Sequence, residues 1–288
     1  MTRHDSLDDF LATGARGLRG GPAAVLVNED GIEIDSTIRH HLALGFRAVI
    51  AVSHPDLTEP HVDDPRLHVV AHRETGGRLA MSVVNRLMAA LDGLWVYYGY
   101  NAEYLFYPFC ETRNVGELLA FHTEERRDAM LAYVVDLYAG DLSACPDGVS
   151  LADAHLDLSG YYALGRAGPN GHPKERQLDF FGGLRWRFEE HFPADRRRID
   201  RISLFRAQKG LELRGDHTFS DEEYNTYACP WHNNLTAAVC SFRTAKALKG
   251  NAGSTFDIGN FVWRNSGRFE WSSQQLMDLG LMEPGQWF

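Results

Sequence analysis

The chain has 288 residues, 44% of them hydrophobic, with 29 basic and 39 acidic side chains and a net charge of −10. A chain of this length buries enough surface to fold without disulfide bonds, and its acidic balance excludes general nucleic-acid binding, which needs a basic field. The four cysteines form no C-x-x-C pair, and no apolar run reaches the about 18 residues that a membrane span needs. We therefore expect a cytoplasmic protein with reduced thiols.

The first hundred residues predict strands and helices in alternation. After a polar arm over 1–22, the predicted elements are a strand at 23–27, a helix at 32–44, strands at 46–53 and 67–71, a helix at 76–91 and a strand at 94–98. Such alternation predicts an α/β fold with a mainly parallel sheet and right-handed crossovers. The segment lacks G-x-G-x-x-G and the P-loop motif, so neither a dinucleotide site nor a P-loop is indicated.

Polar side chains follow the first and the last of these strands. Asn28, Glu29 and Asp30 end the first strand, and Asn101 and Glu103 follow the last one. In an extended chain residues i and i+2 point to the same side, so Asn101 and Glu103 would offer two oxygen donors to one point. Such donors suit Mg²⁺ or Mn²⁺ and, through the metal, a diphosphate. The alternative is a polar strand end that faces water.

The second half predicts shorter elements. They are a helix at 114–122, a strand at 130–138, a loop-rich insertion or lid at 143–171, paired strands at 199–206 and 211–214, a strand at 235–243 and helices near 245–251 and before Gly280. We expect 23–110 and 111–250 to be two halves of a single domain, and 251–288 to be a C-terminal extension. Trp287 and Phe288 are expected to cover the core or a partner subunit.

Two arginines follow a glycine pair in this half. In an extended chain the guanidinium groups of Arg185 and Arg187, after Gly182 and Gly183, share a face that suits a diphosphate. The alternative is an exposed strand with both charges in water. The basic cluster Arg196–Arg198 suits a solvated face, an anionic acceptor or a membrane surface.

Several segments resemble family-2-type bacterial glycosyltransferases of the GT-A fold. The resembling segments, in chain order, are Val27–Asp30, Leu42–Phe46, Asn101–Leu105, Gly182–Arg185, a histidine after a hairpin at His217 and the C-terminal Leu279–Trp287. The D-x-D motif of that family stands here as Asn101-Ala102-Glu103, and a histidine that is frequent in the family is replaced at Ser241. The resemblance implies transfer of a sugar from a nucleotide-diphosphate sugar to a glycan or glycolipid acceptor, with inversion. It also implies that the half at 23–110 binds the nucleotide sugar and the half at 111–250 binds the acceptor.

The resemblance and the strand ends together assign a site. The nucleotide sugar is expected at Asn28, Glu29, Asp30, Asn101, Glu103, Arg185 and Arg187. A weakly held Mn²⁺ or Mg²⁺ is expected on Glu103 and His217, with tighter binding after Asn101→Asp. The catalytic base is expected to be Asp216 or Asp179, with Asp136 as a further alternative. A peripheral membrane contact and a homodimer are also expected.

Two other classes of function compete with this interpretation. Without the first aspartate of D-x-D, the chain would be a catalytically inactive nucleotide-sugar-binding or scaffolding protein. A nucleotidyltransferase would need a glycine-rich phosphate loop with a lysine after the first strand, and the segment Val27–Asp35 supplies neither. Nucleotide-sugar binding that needs no metal would favour the inactive protein.

Overall fold

A computed structural model describes residues 1–18, 20–226 and 234–287. The chain divides into two compact units. Unit 1 comprises Met1–Tyr104, Thr112–Leu131 and Ile202–Asn225, and unit 2 comprises Leu105–Glu111, Ala132–Arg201 and Thr226–Phe288. Within the described ranges, no helix has both the length and the apolar character needed to cross a membrane.

The strands are β1 (Thr2–His4), β2 (Ala23–Asn28), β3 (Ala48–Ser53), β4 (Leu67–Ala71), β5 (Trp95–Tyr100), β6 (Glu103–Phe106), β7 (Ala129–Asp136), β8 (Tyr138–Ala139), β9 (Ala154–Asp157), β10 (Tyr162–Ala167), β11 (Pro173–Phe181), β12 (Asp200–Arg206), β13 (Ala237–Ser241) and β14 (Ser266–Arg268). The α-helices are α1 (Leu7–Asp9), α2 (Ile34–Ala43), α3 (Leu79–Met88), α4 (Val115–Glu124), α5 (Gly183–Arg187), α6 (Arg243–Gly250) and α7 (Ser273–Asp278).

Unit 1 is built on a mainly parallel sheet. Its strands lie in the order β1-β4-β3-β2-β5-β12, where the first five are parallel to their neighbours and β12 is antiparallel to β5. Every residue of β2 and β3 is buried, as expected of strands covered on both faces. The predicted α/β fold with a mainly parallel sheet is confirmed.

Helices cover both faces of this sheet because side chains alternate along β5. The Tyr97 ring stacks on His41 of α2, with the two ring centroids 4.8 Å apart. Val96 points to the opposite face of the sheet, where it lines an apolar cavity together with Leu87 and Met88 of α3. The two helices therefore bury opposite faces of one strand.

His41 makes the stability of unit 1 depend on pH. Burial lowers the pKa of His41 from 6.5 to about 3. Because the unfolded chain takes up this proton near pH 6.5 and the folded chain does not, the contribution of neutral His41 is complete above pH 6.5 and is lost as the pH falls towards 3.

Urea unfolding of the wild-type protein and His41→Leu at several pH values tests this dependence. The wild-type protein should lose stability relative to His41→Leu by about 1.4 kcal/mol per pH unit below pH 6. Above pH 7 the difference between the two proteins should be constant. A difference that stays constant down to pH 5 would contradict the prediction.

The N-terminal arm carries an edge strand that its sequence did not predict. β1 pairs with β4 in parallel, and Phe10, in the π-helical turn Phe10–Gly14, is completely buried. The Nε2 atom of His4 lies 3.1 Å from Nδ1 of His68. The arm therefore adds an edge strand to the sheet by pairing with β4. The position of β4 depends in turn on the rest of unit 1.

Unit 2 has its own strand pairings. β13 pairs in parallel with the Ala132–Asp136 part of β7, β10 and β11 form an antiparallel hairpin, and β9 lies between β14 and β8. A core cluster of Tyr138, Leu184, Ala245, Leu248 and Phe261 packs α5 against α6. The segment 143–171 was expected to be loop-rich, but it contains the strands β9 and β10.

The predicted hairpin between 199–206 and 211–214 is wrong. β12 is present, but it pairs with β5, with Leu204 opposite Tyr97. Leu213 makes only an isolated bridge with Phe219. β12 is buried along almost its whole length, so its partner is a strand inside a sheet rather than the next exposed segment of the chain.

Candidate functional site

The strand order of unit 1 contains a topological switch point. From β2 the chain continues to β3 and β4 on one side, and it then returns to β5 on the other side of β2. Open α/β sheets bind ligands in the crevice outside the carboxyl ends of the strands at such a point. Asn28 ends β2, and Asn101 directly follows β5.

Asn101 ties the two strand ends together. Its Oδ1 atom accepts a hydrogen bond from the backbone N–H of Glu29 at 2.9 Å. Its Nδ2 atom donates to the Ile32 carbonyl oxygen at 2.8 Å and to Asp30 Oδ1 at 2.5 Å. The Asn101 side chain is fully buried, and its hydrogen bonds hold the loop after β2 in place.

The residues after β2 differ in their exposure. Asn28 is buried, and its Nδ2 atom donates to the hydroxyl of Ser53 at 2.7 Å. Glu29 is exposed and Asp30 is half-buried. Asp30 Oδ1 also accepts from the N–H of Ile32 at 2.9 Å. Glu29 and Asp30 are therefore the side chains of this loop that a ligand in the crevice can reach.

The segment Asn101-Ala102-Glu103 is a turn, and the expected extended conformation is wrong. Ala102 has a positive φ of 59°, and its N–H donates to Thr37 Oγ1 of α2 at 2.9 Å. Glu103 is buried, and its Oε2 atom accepts from the N–H of Tyr100 at 3.0 Å. The turn therefore separates the two side chains that an extended chain would align.

His217 and Asp216 lie in a loop of unit 1. His217 has a φ of 63°, and its Nδ1 atom lies 2.9 Å from the hydroxyl of Tyr98, on which its ring stacks. Asp216 is exposed, and its Oδ1 atom accepts from the N–H and the hydroxyl of Thr218. These contacts stabilise a local turn, and the role of Asp216 as a base stays a prediction.

Glu103 and His217 were expected to hold a metal ion. Among the residues that the structure describes, no three His, Cys, Asp or Glu side chains come close enough together to hold an ion. Glu103 is engaged by the backbone of β5, and His217 by Tyr98. The described protein atoms alone therefore do not form a complete metal site.

Arg185, in unit 2, lies on a helix, so the expected extended chain is wrong here too. Gly182 and Gly183 have φ values of 153° and 64°, which end β11 and start α5. The Arg185 Nη1 atom donates to the Arg198 carbonyl oxygen at 2.7 Å, and Nε donates to Thr244 Oγ1 at 3.1 Å. These contacts hold the guanidinium group inside unit 2.

Asp136 lies beneath the glycine pair. A Cβ atom on Gly183 would come within 2.8 Å of Asp136 Oδ2. The Asp136 side chain is fully buried, with Oδ1 3.7 Å from Arg185 Nε. Burial raises the pKa of Asp136 above its usual value, and the nearby Arg185 charge opposes this shift. A carboxyl group without solvent access cannot contact an acceptor hydroxyl in this conformation.

Arg187 is part of a buried cluster around Asp157. Asp157 Oδ1 accepts from the Tyr138 hydroxyl at 2.6 Å, from Arg187 Nη1 at 3.0 Å and from Trp263 Nε1 at 2.8 Å. Arg187 Nη2 also donates to the Phe261 carbonyl oxygen at 2.7 Å. Sequence analysis missed Asp157 because a single aspartate in the segment AHLDLSG carries no motif.

Asp179 is held by two arginines of unit 2. Its Oδ1 atom accepts from Arg166 Nε at 2.7 Å and from Arg198 Nη1 at 2.8 Å. Arg166 Nη2 also donates to the buried Asp200 at 2.6 Å. An acceptor hydroxyl would have to compete with two guanidinium groups for this oxygen. His232 lies outside the described residues.

Unit 1 has an α/β fold in which polar residues follow β2 and β5 at the switch point of a mainly parallel sheet. No protein-family model matches the chain, and no curated protein matches its sequence. Two crystal structures of S. aureus TarS 1–349 are similar to part of it, one of them in complex with UDP.

These TarS structures have 16% and 19% sequence identity to the chain, with TM-scores of 0.28 and 0.29. The match covers 39% of this chain, which spans only 35% of the TarS chains. A likeness at these TM-scores carries no argument about function.

Proposed function

We propose that this protein is a glycosyltransferase that binds a nucleotide-diphosphate sugar at the switch-point crevice of unit 1. The observation that carries the proposal is the Asn101 side chain, which links the ends of β2 and β5 and presents Glu29 and Asp30 at the crevice. Carboxylates at this place accept hydrogen bonds from ribose hydroxyls or base N–H groups. The resemblance of the same segments to GT-A glycosyltransferases supplies the reaction class.

The transfer needs a base and a stabilised leaving group. The acceptor hydroxyl must lose a proton as the sugar moves, and the exposed Asp216 is the base of the proposal. The departing diphosphate needs positive charge. The sequence-based assignment of Arg185 and Arg187 to this role stays a prediction, and in unit 2 their guanidinium groups donate to backbone carbonyl oxygens.

A metal enters the proposal only together with the nucleotide. With Glu103 as its single carboxylate, a Mn²⁺ or Mg²⁺ ion would need oxygens from the diphosphate to complete its shell. Isothermal titration with UDP-, GDP-, dTDP- and ADP-sugars, with Mn²⁺ and with a chelator, should show tighter binding with Mn²⁺.

Glu29→Ala tests the position of the nucleotide. The variant removes an exposed carboxylate and should weaken nucleotide-sugar binding by about 1–2 kcal/mol without a change in thermal stability. Asp56→Ala is the matched control, because Asp56 is an exposed carboxylate in the loop after β3. Equal binding by the wild-type protein and Glu29→Ala would contradict the proposed crevice.

The second candidate is a nucleotide-sugar-binding protein without catalysis. It is favoured by the engagement of Asn101 and Glu103 in backbone hydrogen bonds, which leaves no prepared metal site in the described part of the chain. Binding that is unchanged by a chelator, together with no transfer or hydrolysis of any donor, would select this candidate. Chelator-sensitive binding with turnover would exclude it.

A further inference from the structure

We propose that an aromatic cavity within unit 2 binds one neutral sugar ring. The cavity has a volume of about 170 Å³, and its walls include Tyr133, Tyr161, Tyr162, Phe180, Phe181 and Ile199. Pockets for drug-sized ligands have about 300–1,000 Å³, so this cavity has room for a single ring. The inference rests on the proposed function only in calling this sugar the acceptor.

The walls are arranged for stacking. Tyr162 of β10 and Phe181 of β11 are directly paired across the hairpin, and their rings stack at 5.2 Å with an angle of 19° between their planes. Phe180 makes an edge-to-face contact with Tyr133 at 4.8 Å. Because these contacts fix the rings before a ligand arrives, little side-chain entropy remains to be lost on binding. Tyr162 is still 45% exposed, so the cavity has an opening to solvent beside it.

The chemistry of the walls selects a neutral, hydroxylated ligand. Among the described residues, no charged side chain lines the cavity, which argues against a phosphate or a nucleotide as its occupant. The wall of the cavity has polar as well as apolar surface. A sugar can therefore form hydrogen bonds through its hydroxyls while the apolar face of its ring covers an aromatic wall.

Tyr161 contributes its ring to the cavity wall. A Cβ atom on Gly182 would overlap this ring, so the glycine allows the ring to lie against the backbone. The Tyr161 hydroxyl is buried, and its pKa is raised by burial and by the charges of Asp157 and Asp136. The ring is therefore the part of Tyr161 that a sugar in the cavity can contact.

The test is sugar binding by the nucleotide-free full-length protein. Saturation-transfer NMR with the methyl glycosides of glucose, galactose, N-acetylglucosamine and rhamnose should detect at least one bound sugar. Titration of that sugar should show about tenfold weaker binding by Tyr162→Ala, since one ring contact is lost. Tyr162→Phe keeps the ring and should bind as the wild-type protein does.

Leu164→Ala is the matched control. Leu164 lies on the same strand, is 56% exposed and does not line the cavity, so its loss should leave sugar binding unchanged. The proposal is overturned if no glycoside of the panel binds, or if Tyr162→Ala binds as tightly as Leu164→Ala. Nucleotide-sugar titration of the same variants distinguishes this failure from a failure of the proposed function, because the donor crevice lies in unit 1.

Discussion

Asp157→Ala is expected to destabilise the protein by about 3–5 kcal/mol, which is the cost of breaking a buried ion pair by removing one partner. The substitution leaves the Tyr138 hydroxyl, Trp263 Nε1 and the Arg187 guanidinium without their common acceptor. The Arg187 charge would then be buried without its counter-charge. Urea unfolding followed by tryptophan fluorescence measures the change, because Trp263 is part of the cluster.

Asp153→Ala provides the control for this measurement. Asp153 is an aspartate of the same region, and its side chain is 49% exposed, so the substitution should change the free energy of unfolding by less than about 0.5 kcal/mol. A similar small effect for Asp157→Ala would show that the cluster does not stabilise unit 2. In that case the contact with Asp157 would contribute little free energy, and Arg187 could leave it to bind a ligand.

Asn101→Asp is expected to destabilise the protein by about 3 kcal/mol, although it restores the first aspartate of D-x-D. The Nδ2 atom of Asn101 donates to the Ile32 carbonyl oxygen and to Asp30 Oδ1. An aspartate would place a carboxylate oxygen against these two acceptors in a fully buried position. Thermal unfolding with and without Mn²⁺ measures both the loss and any recovery through metal binding.

Asn114→Asp is the matched substitution at a solvent-exposed place. Asn114 caps α4 and its Oδ1 atom accepts from the N–H of Glu117. Since aspartate and asparagine cap helices about equally well, this variant should unfold at the temperature of the wild-type protein. If Asn101→Asp were equally stable and bound Mn²⁺ more tightly, the sequence-based expectation of a latent metal site would be correct.

Much of unit 1 could be predicted from local sequence patterns. The apolar runs at 23–27 and 46–53 became the buried strands β2 and β3, because an apolar run of this length gains most free energy in the middle of a covered parallel sheet. The polar residues at the strand ends followed from the same pattern. Asn28 and Asn101 accordingly lie at the adjoining ends of the paired strands β2 and β5.

The conformation of the site residues could not be predicted in this way. Side-chain directions at Asn101 and Glu103 depended on one backbone angle, the positive φ of Ala102, which an alanine rarely adopts and which Thr37 of α2 supports from a distant part of the chain. Arg185 and Arg187 were expected on a strand because their spacing suits one, but the two glycines before them start a helix.

Local sequence patterns therefore predict the order and type of the main elements of unit 1 and the polarity of its strand ends, because these depend on patterns within a few residues. The pairing of polar groups with each other depends instead on the tertiary fold. Asp157 meets Arg187 and Trp263 across separations of 30 and 106 residues, and β12 pairs with β5 instead of its neighbour in the chain. A buried charge or strand edge is stabilised by whichever partner the fold brings to it, and the linear sequence does not encode that partner locally.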